Sequence, residues 1–260
     1  MKSIAAIASM VLAAVPSLAP AFQPLVTDDT GTQGAGGNQV EAAFNWTRDA
    51  LPGDKQNARE VPLVYTRGIT DALDLYVGSA YQRISASAAP TERGWGNAGL
   101  GAKWRFYENE ARKLSFALKP EIRLPVSESH EARGLGAART GYAAALILTQ
   151  ETGFGAVHAN LAAERSRHDD PALNAAERRT RYRLSVAPVW DVSGQWKLAL
   201  DTGVETNPDR AARRYLGYAE LGAIYAPAKD LEIAFGVIRN FHDGAVRTTQ
   251  ATLGLTWRFR

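Results

Sequence analysis

From Gln39 to the last residues, apolar and polar positions alternate with a period of two, the mark of extended strands with unlike faces. The closing stretch, 248–260, sets Ala251, Leu253, Leu255, Trp257 and Phe259 against Thr252, Gly254, Thr256 and Arg258. The opening one sets Val40, Ala42, Phe44 and Trp46 against Glu41, Ala43, Asn45 and Thr47. In 113–124, Leu114, Phe116, Leu118, Pro120, Ile122 and Leu124 alternate with Lys113, Ser115, Ala117, Lys119, Glu121 and Arg123, whose charges helical phasing would scatter around a cylinder. Twelve such stretches can be traced. Two have an uncertain facing: 140–150 is apolar on both sides, and in 214–226 Leu216, Tyr218 and Ile224 share a face with Glu220.

The links between stretches alternate in length. Short ones fall at 69–71, 108–112, 151–153, 192–194 and 227–230, with longer ones at 48–59, 85–94, 125–139, 166–179, 206–213 and 240–246. Hairpins with turns on one side and loops on the other predict an all-β fold, a transmembrane antiparallel up-and-down β-barrel of 12 strands with both termini periplasmic. In that register Phe106, Trp190, Trp196, Tyr225, Trp257 and Phe259 gather at one interface, and Trp46, Tyr81, Trp95, Tyr142, Tyr182 and Tyr215 at the other. A soluble sandwich or lipocalin-like barrel shows the same alternation with its apolar face inward. The number of long strands, the aromatics at strand ends and the confinement of charge to one face favour the membrane. Closure requires the last strand to pair with 39–47.

The N-terminus adds a compartment. Lys2, the apolar run 4–15 and Ala19-Pro20-Ala21 form a signal peptide over 1–21, so the mature chain is expected to begin at Phe22. No later run approaches the roughly 20 apolar residues of a spanning helix. Residues 22–38, with Thr27-Asp28-Asp29-Thr30 and the glycines of 34–37, read as a solvated periplasmic lead-in, with a gate at the barrel mouth as the sharper alternative. Asp28 and Asp29 lack the spacing of a calcium loop, and neither metal nor cofactor is expected. The chain has no cysteine, and 30 Lys plus Arg against 27 Asp plus Glu, a formal +3, give no basic cluster for nucleic acid.

With the apolar face on lipid, the other face lines a lumen. Its charged candidates are Glu41, Asp74, Lys103, Arg105, Lys119, Glu121, Arg123, Arg181, Arg183, Lys197, Asp201, Glu205, Glu220, Glu232 and Arg258. Such a set can select polar solutes or simply pair across strands and stiffen the wall. Catalysis is not expected: none of His130, His158, His168 and His242 has a serine two residues on, and His168-Asp169-Asp170 and His242-Asp243 read as solvated loop groups. Arginines of the long links, among them Arg133, Arg139, Arg165, Arg167, Arg178 and Arg179, suit lipopolysaccharide phosphates.

The run Pro24-Leu25-Val26-Thr27-Asp28-Asp29-Thr30-Gly31-Thr32, followed by Gln39-Val40-Glu41 and ending in Trp257-Arg258-Phe259, resembles the outer-membrane family of MetA-pathway of phenol degradation proteins over nearly the whole mature chain. The resemblance implies a transporter-like barrel in the bacterial cell outer membrane, passing small hydrophobic or aromatic molecules, with no catalytic residues to carry over. Its partners would be outer-membrane lipid and lipopolysaccharide, the barrel assembly machinery and a small-molecule solute. A structural or surface-interaction barrel, and a barrel hydrolase with rim residues, stand as the other readings.

Overall fold

The computed structural model describes residues 23–51, 54–86, 89–241 and 247–260; the signal peptide, Phe22 and the His242-Asp243 pair lie outside the described residues. The strand segments are β1 (Asn38–Leu51), β2 (Asp54–Thr70), β3 (Leu73–Ala86), β4 (Ala89–Trp95), β5 (Gly99–Asn109), β6 (Leu114–Arg123), β7 (Gly141–Thr152), β8 (Gly155–Arg165), β9 (Thr180–Asp191), β10 (Trp196–Thr206), β11 (Tyr215–Ala228), β12 (Leu231–Phe241) and β13 (Arg247–Phe259). Two short helices, α1 (Glu128–Glu131) and α2 (Pro171–Ala176), sit in connections. Neighbours pair antiparallel around a closed ring, sealed by β1 on β13, where Val40 faces Trp257 and Phe44 faces Leu253.

Segments β4 and β5 are two parts of one strand. β3 pairs with β4 through Tyr81–Ala86 and with β5 through Leu73–Gly78, and the break falls at Gly96-Asn97-Ala98. The barrel therefore has 12 strands. The Asn97 side chain bridges this break, donating to the Leu124 and Ala137 carbonyls at 2.7 and 2.8 Å and accepting the Ala137 N–H at 2.8 Å.

Burial is inverted relative to a soluble protein. Leu221 is 70% exposed while Asp201 is 0% exposed, and exposed Leu, Val and aromatic side chains recur around the outer wall. Water would not tolerate that surface, whereas hydrocarbon requires it. Aromatic pairs rim the end where the termini meet: Trp257 on Phe259 at 4.5 Å, Trp196 on Tyr225 at 4.7 Å and Phe154 on Trp190 at 5.9 Å between centroids. Tyr81 and Trp95 pair at the opposite end, 5.6 Å apart.

The two ambiguous strands now have a facing. In β7, Ala143, Ala145 and Ile147 point in while Tyr142 and Leu146 point out; in β11, Leu216, Tyr218, Glu220 and Ile224 all point in. Two expected links are mostly strand: β1 and β2 run on to Leu51 and Asp54, and β3 and β4 occupy most of 85–94. Their polar outer ends lose the apolar alternation because they extend past the hydrocarbon, where backbone pairing alone sustains the ladder.

Candidate channel lumen

The lead-in segment is not solvated. Residues 23–33 enter the barrel and bury Leu25, Thr27, Asp28 and Thr30, so the expectation of a solvated lead-in is corrected. The wall facing the segment is made of small residues. Leu25 packs with Ala187, Val189 and Ala199, and any Cβ on Gly222 or Gly236 would strike Pro24. The chain then leaves through a glycine corner: Gly34 and Gly36 hold φ of +70° and +81°, and Gly68 pairs with Gly36 and Gly37 at 3.0 and 2.9 Å.

Polar contacts fix the segment from nearly every side. Asp201 of β10 accepts both the Thr27 N–H, at 2.6 Å, and its hydroxyl, at 2.8 Å, while Ser185 of β9 lies 2.8 Å from the same hydroxyl. The Asp28 carboxylate bridges two ammonium groups, Lys103 at 2.9 Å and Lys119 at 2.6 Å. Asn160 of β8 reads the Asp28 backbone when oriented so that its oxygen accepts the N–H (2.7 Å) and its amide donates to the carbonyl (2.9 Å). The Thr30 N–H donates to Thr149 at 3.1 Å and its hydroxyl meets Ser115 at 2.5 Å. The Gln33 N–H reaches both oxygens of Asp74, at 3.0 and 3.1 Å.

The remaining charged candidates fall into two groups. An ionic ladder crosses the inner wall: Arg123 contacts Glu121 at 2.9 Å and Glu164 at 3.2 Å, Arg181 pairs with Glu164, and Arg183 meets Glu205 at 3.3 Å. Nearer the end shared by the termini, Arg258 joins Glu232 and Gln39, both at 2.9 Å, Arg105 donates to the Asp71 carbonyl at 3.0 Å, and Lys197 lies 3.6 Å from Asp191. Glu41 is buried and borders a cavity, and Glu220 is buried against Gly236 beside Pro24.

Among the described residues, two cavities border the β1–β6 wall, the first reaching round to β12 and β13. One, of about 250 Å³, is bordered by Asp28, Glu41, Lys103, Lys119 and Arg258, and the other, of about 170 Å³, by Glu60, Gln82, Glu121 and Arg123. Val64 and Tyr76 line both and form the partition. Tyr76 lies across Gly101 with its hydroxyl donating to Glu121 at 3.2 Å, and Tyr218 repeats the arrangement across Gly203, donating to Asp201 at 3.1 Å. These tyrosines, with Asn160, Ser185, Thr149 and Glu164, were not among the candidates picked from charge. The signal was their place on the same alternate positions as the chosen charges.

The outer connections are knit together. Glu131 accepts backbone N–H groups from Ala138, Asp169 and Asp170 at 2.6, 2.8 and 2.9 Å, and His168 contacts Glu131 at 3.3 Å and Glu177 at 3.1 Å. His168 is thus a bridging group rather than a solvated one. Its pKa is raised, foremost by the hydrogen bond to Glu177 and against the opposing effect of burial. Arg178 donates to the carbonyls of Asn207, Asp209 and Ala212, and Arg139 pairs with Asp169, so both are engaged within the cap.

A closed, lipid-faced ring with a polar, partly filled interior defines an outer-membrane β-barrel. The family model described as Putative MetA-pathway of phenol degradation matches residues 21–259, and the chain belongs to that family. Among solved structures, an outer membrane channel from Pseudomonas putida F1 matches with a TM-score of 0.74 at 16% identity, over 89% of this chain and 98% of that one. The NanC porin matches at 0.56 and 9% identity (83% and 98% covered), and the transport unit of the autotransporter AIDA-I from Escherichia coli at 0.53 and 10% (85% and 90%). At these identities the likeness is one of fold. No curated protein matches the sequence. The protein is a bacterial outer-membrane barrel.

Proposed function

We propose that this protein is a channel admitting small hydrophobic or aromatic molecules across the outer membrane, gated by the Thr27-Asp28-Asp29-Thr30 stretch, with its termini on the periplasmic side. The observation that carries the reading is the uneven filling of the lumen: the N-terminal segment occupies the face built of small residues and leaves two cavities in series along the other. A structural barrel needs no such unfilled space. The matched family's phenol-degradation description and the P. putida channel support a transport role, with the solute class taken from the family.

A hydrolytic reading has little to stand on. Ser127 and His130 lie 2.8 Å apart, but the Ser127 hydroxyl is the N-cap of α1 and accepts the His130 N–H. The test of transport is liposome uptake of benzyl alcohol and planar-bilayer conductance, comparing the intact chain with one lacking 23–33. Uptake above that of empty liposomes, and a severalfold larger conductance after the deletion, are expected. An intact chain that conducts nothing and passes no solute would overturn the channel.

A further inference from the structure

The two lysines under Asp28 carry an inference about what the channel recognises, which rests on the transport reading above. Lys103 and Lys119 come from adjacent strands, β5 and β6, and their side chains are 15% and 10% exposed. Each binds one oxygen of a single carboxylate, and that carboxylate belongs to the N-terminal segment rather than to the wall. The clamp is therefore fixed while its anion sits on a separable piece of chain. Withdrawing Asp28 takes the nearest carboxylate oxygen from each of two buried ammonium groups, although Lys103 also donates to the Asp29 carbonyl at 3.1 Å, and weakening a buried ion pair in this way is costly. An arriving anion removes that cost, so opening and anion entry are thermodynamically linked.

We propose that the Lys103–Lys119 clamp is a subsite for a small organic monocarboxylate, occupied in the resting chain by the Asp28 side chain. The surroundings select among anions. Glu41 and Asp74 border the same cavity, and Arg258 there is already paired with Glu232, so one negative charge is matched and a second is repelled. In a lining that is otherwise mostly polar, Tyr76 and Val64 offer a ring an apolar surface. Tyr76 presents its face 5.1 Å from the Lys119 ammonium, Val64 lies beside it, and about 250 Å³ holds a one-ring acid such as benzoate.

The competition predicts a specific ranking. Full-length protein folded in detergent is titrated calorimetrically with sodium benzoate and with its neutral counterpart, benzyl alcohol, and folding of each variant is checked by heat-modifiable gel mobility. Asp28→Asn, which removes the internal competitor, should bind benzoate at least about tenfold tighter than the wild type, with benzyl alcohol unchanged. The pair Lys103→Met and Lys119→Met should abolish the preference for benzoate. If that pair does not fold, Lys119→Met alone should weaken benzoate binding by about tenfold. Equal benzoate affinity in wild type and Asp28→Asn, or benzoate binding that survives loss of the lysine charge, overturns the subsite. Liposome flux measured alongside separates the two claims: benzoate binding without flux of any solute refutes the channel and leaves the subsite standing.

Discussion

The two sides of the lumen solve opposite problems with opposite residues. Where the wall from β9 to β12 meets Pro24 to Thr27, it does so with glycine, alanine and short polar groups: Gly222 and Gly236 under Pro24, Ala187 and Ala199 under Leu25, Ser185 and Asp201 on Thr27. The wall from β1 to β6 carries long side chains, Lys103, Lys119, Arg123, Glu121 and Tyr76, which reach across and leave gaps between them. Small residues permit a backbone to come close and be hydrogen-bonded along its length. Long charged ones hold a single atom at a distance and keep the space around it open. Filling and emptiness in this barrel are both written in side-chain size.

The contrast is broken most sharply by crowding the filled wall. Gly222→Leu drives carbons into Pro24 and Leu25, and overpacking of about 1–3 kcal/mol shifts docking of the segment by roughly tenfold to a hundredfold. Raised single-channel conductance and protease cleavage within 23–33 are the expected readouts, and an unchanged protein would show that the wall does not hold the segment. A middle-sized effect comes from the other side. Tyr76→Ala merges the two cavities and should raise conductance severalfold while the segment stays protected, whereas Tyr76→Phe, keeping the ring over Gly101, should change it little.

The smallest effect concerns the connections that Glu131, His168 and Glu177 tie together. Because His168 gains Glu177 and Glu131 on folding, its contribution is complete below the ordinary imidazole pKa of about 6.5 and fades as pH rises through the raised folded value. Loop proteolysis between 166 and 179 should therefore quicken from pH 6 to pH 8.5 in the wild type. The His168→Gln variant, which has no imidazole to titrate, should show no such pH step.

The facing of most strands was legible because lipid imposes a period of two, and the expected closure of the last strand on 39–47 is seen in the pairing of Val40 with Trp257. Facing stayed open in β7 and β11, where Ile147, Leu216 and Ile224 point inward. An apolar residue on the inner face is consistent only with a lumen that is packed there, around Ile147 by Ala117, Ala145 and Ala162, and elsewhere by contacts such as Leu25 on Ala187 and Ala199 that join residues more than a hundred positions apart. The lead-in segment was opaque for the same reason. Thr27-Asp28-Asp29-Thr30 has no periodicity, and its partners Asp201, Ser185, Lys119 and Thr149 are each satisfactory strand residues on their own.

Thr27 and Asp201 are 174 residues apart, and the short stretch from Thr27 to Gln33 takes partners from β3, β5, β6, β7, β9 and β10. Contacts of such span carry a large loop-closure cost and none of them is available to a half-built sheet. The segment that precedes β1 accordingly meets its full set of partners only in the closed ring. Its docking is a record that the ring around it has closed in the correct register, since a strand shifted by one residue would turn Lys103, Asp201 or Asp74 toward lipid and leave the segment unmoored.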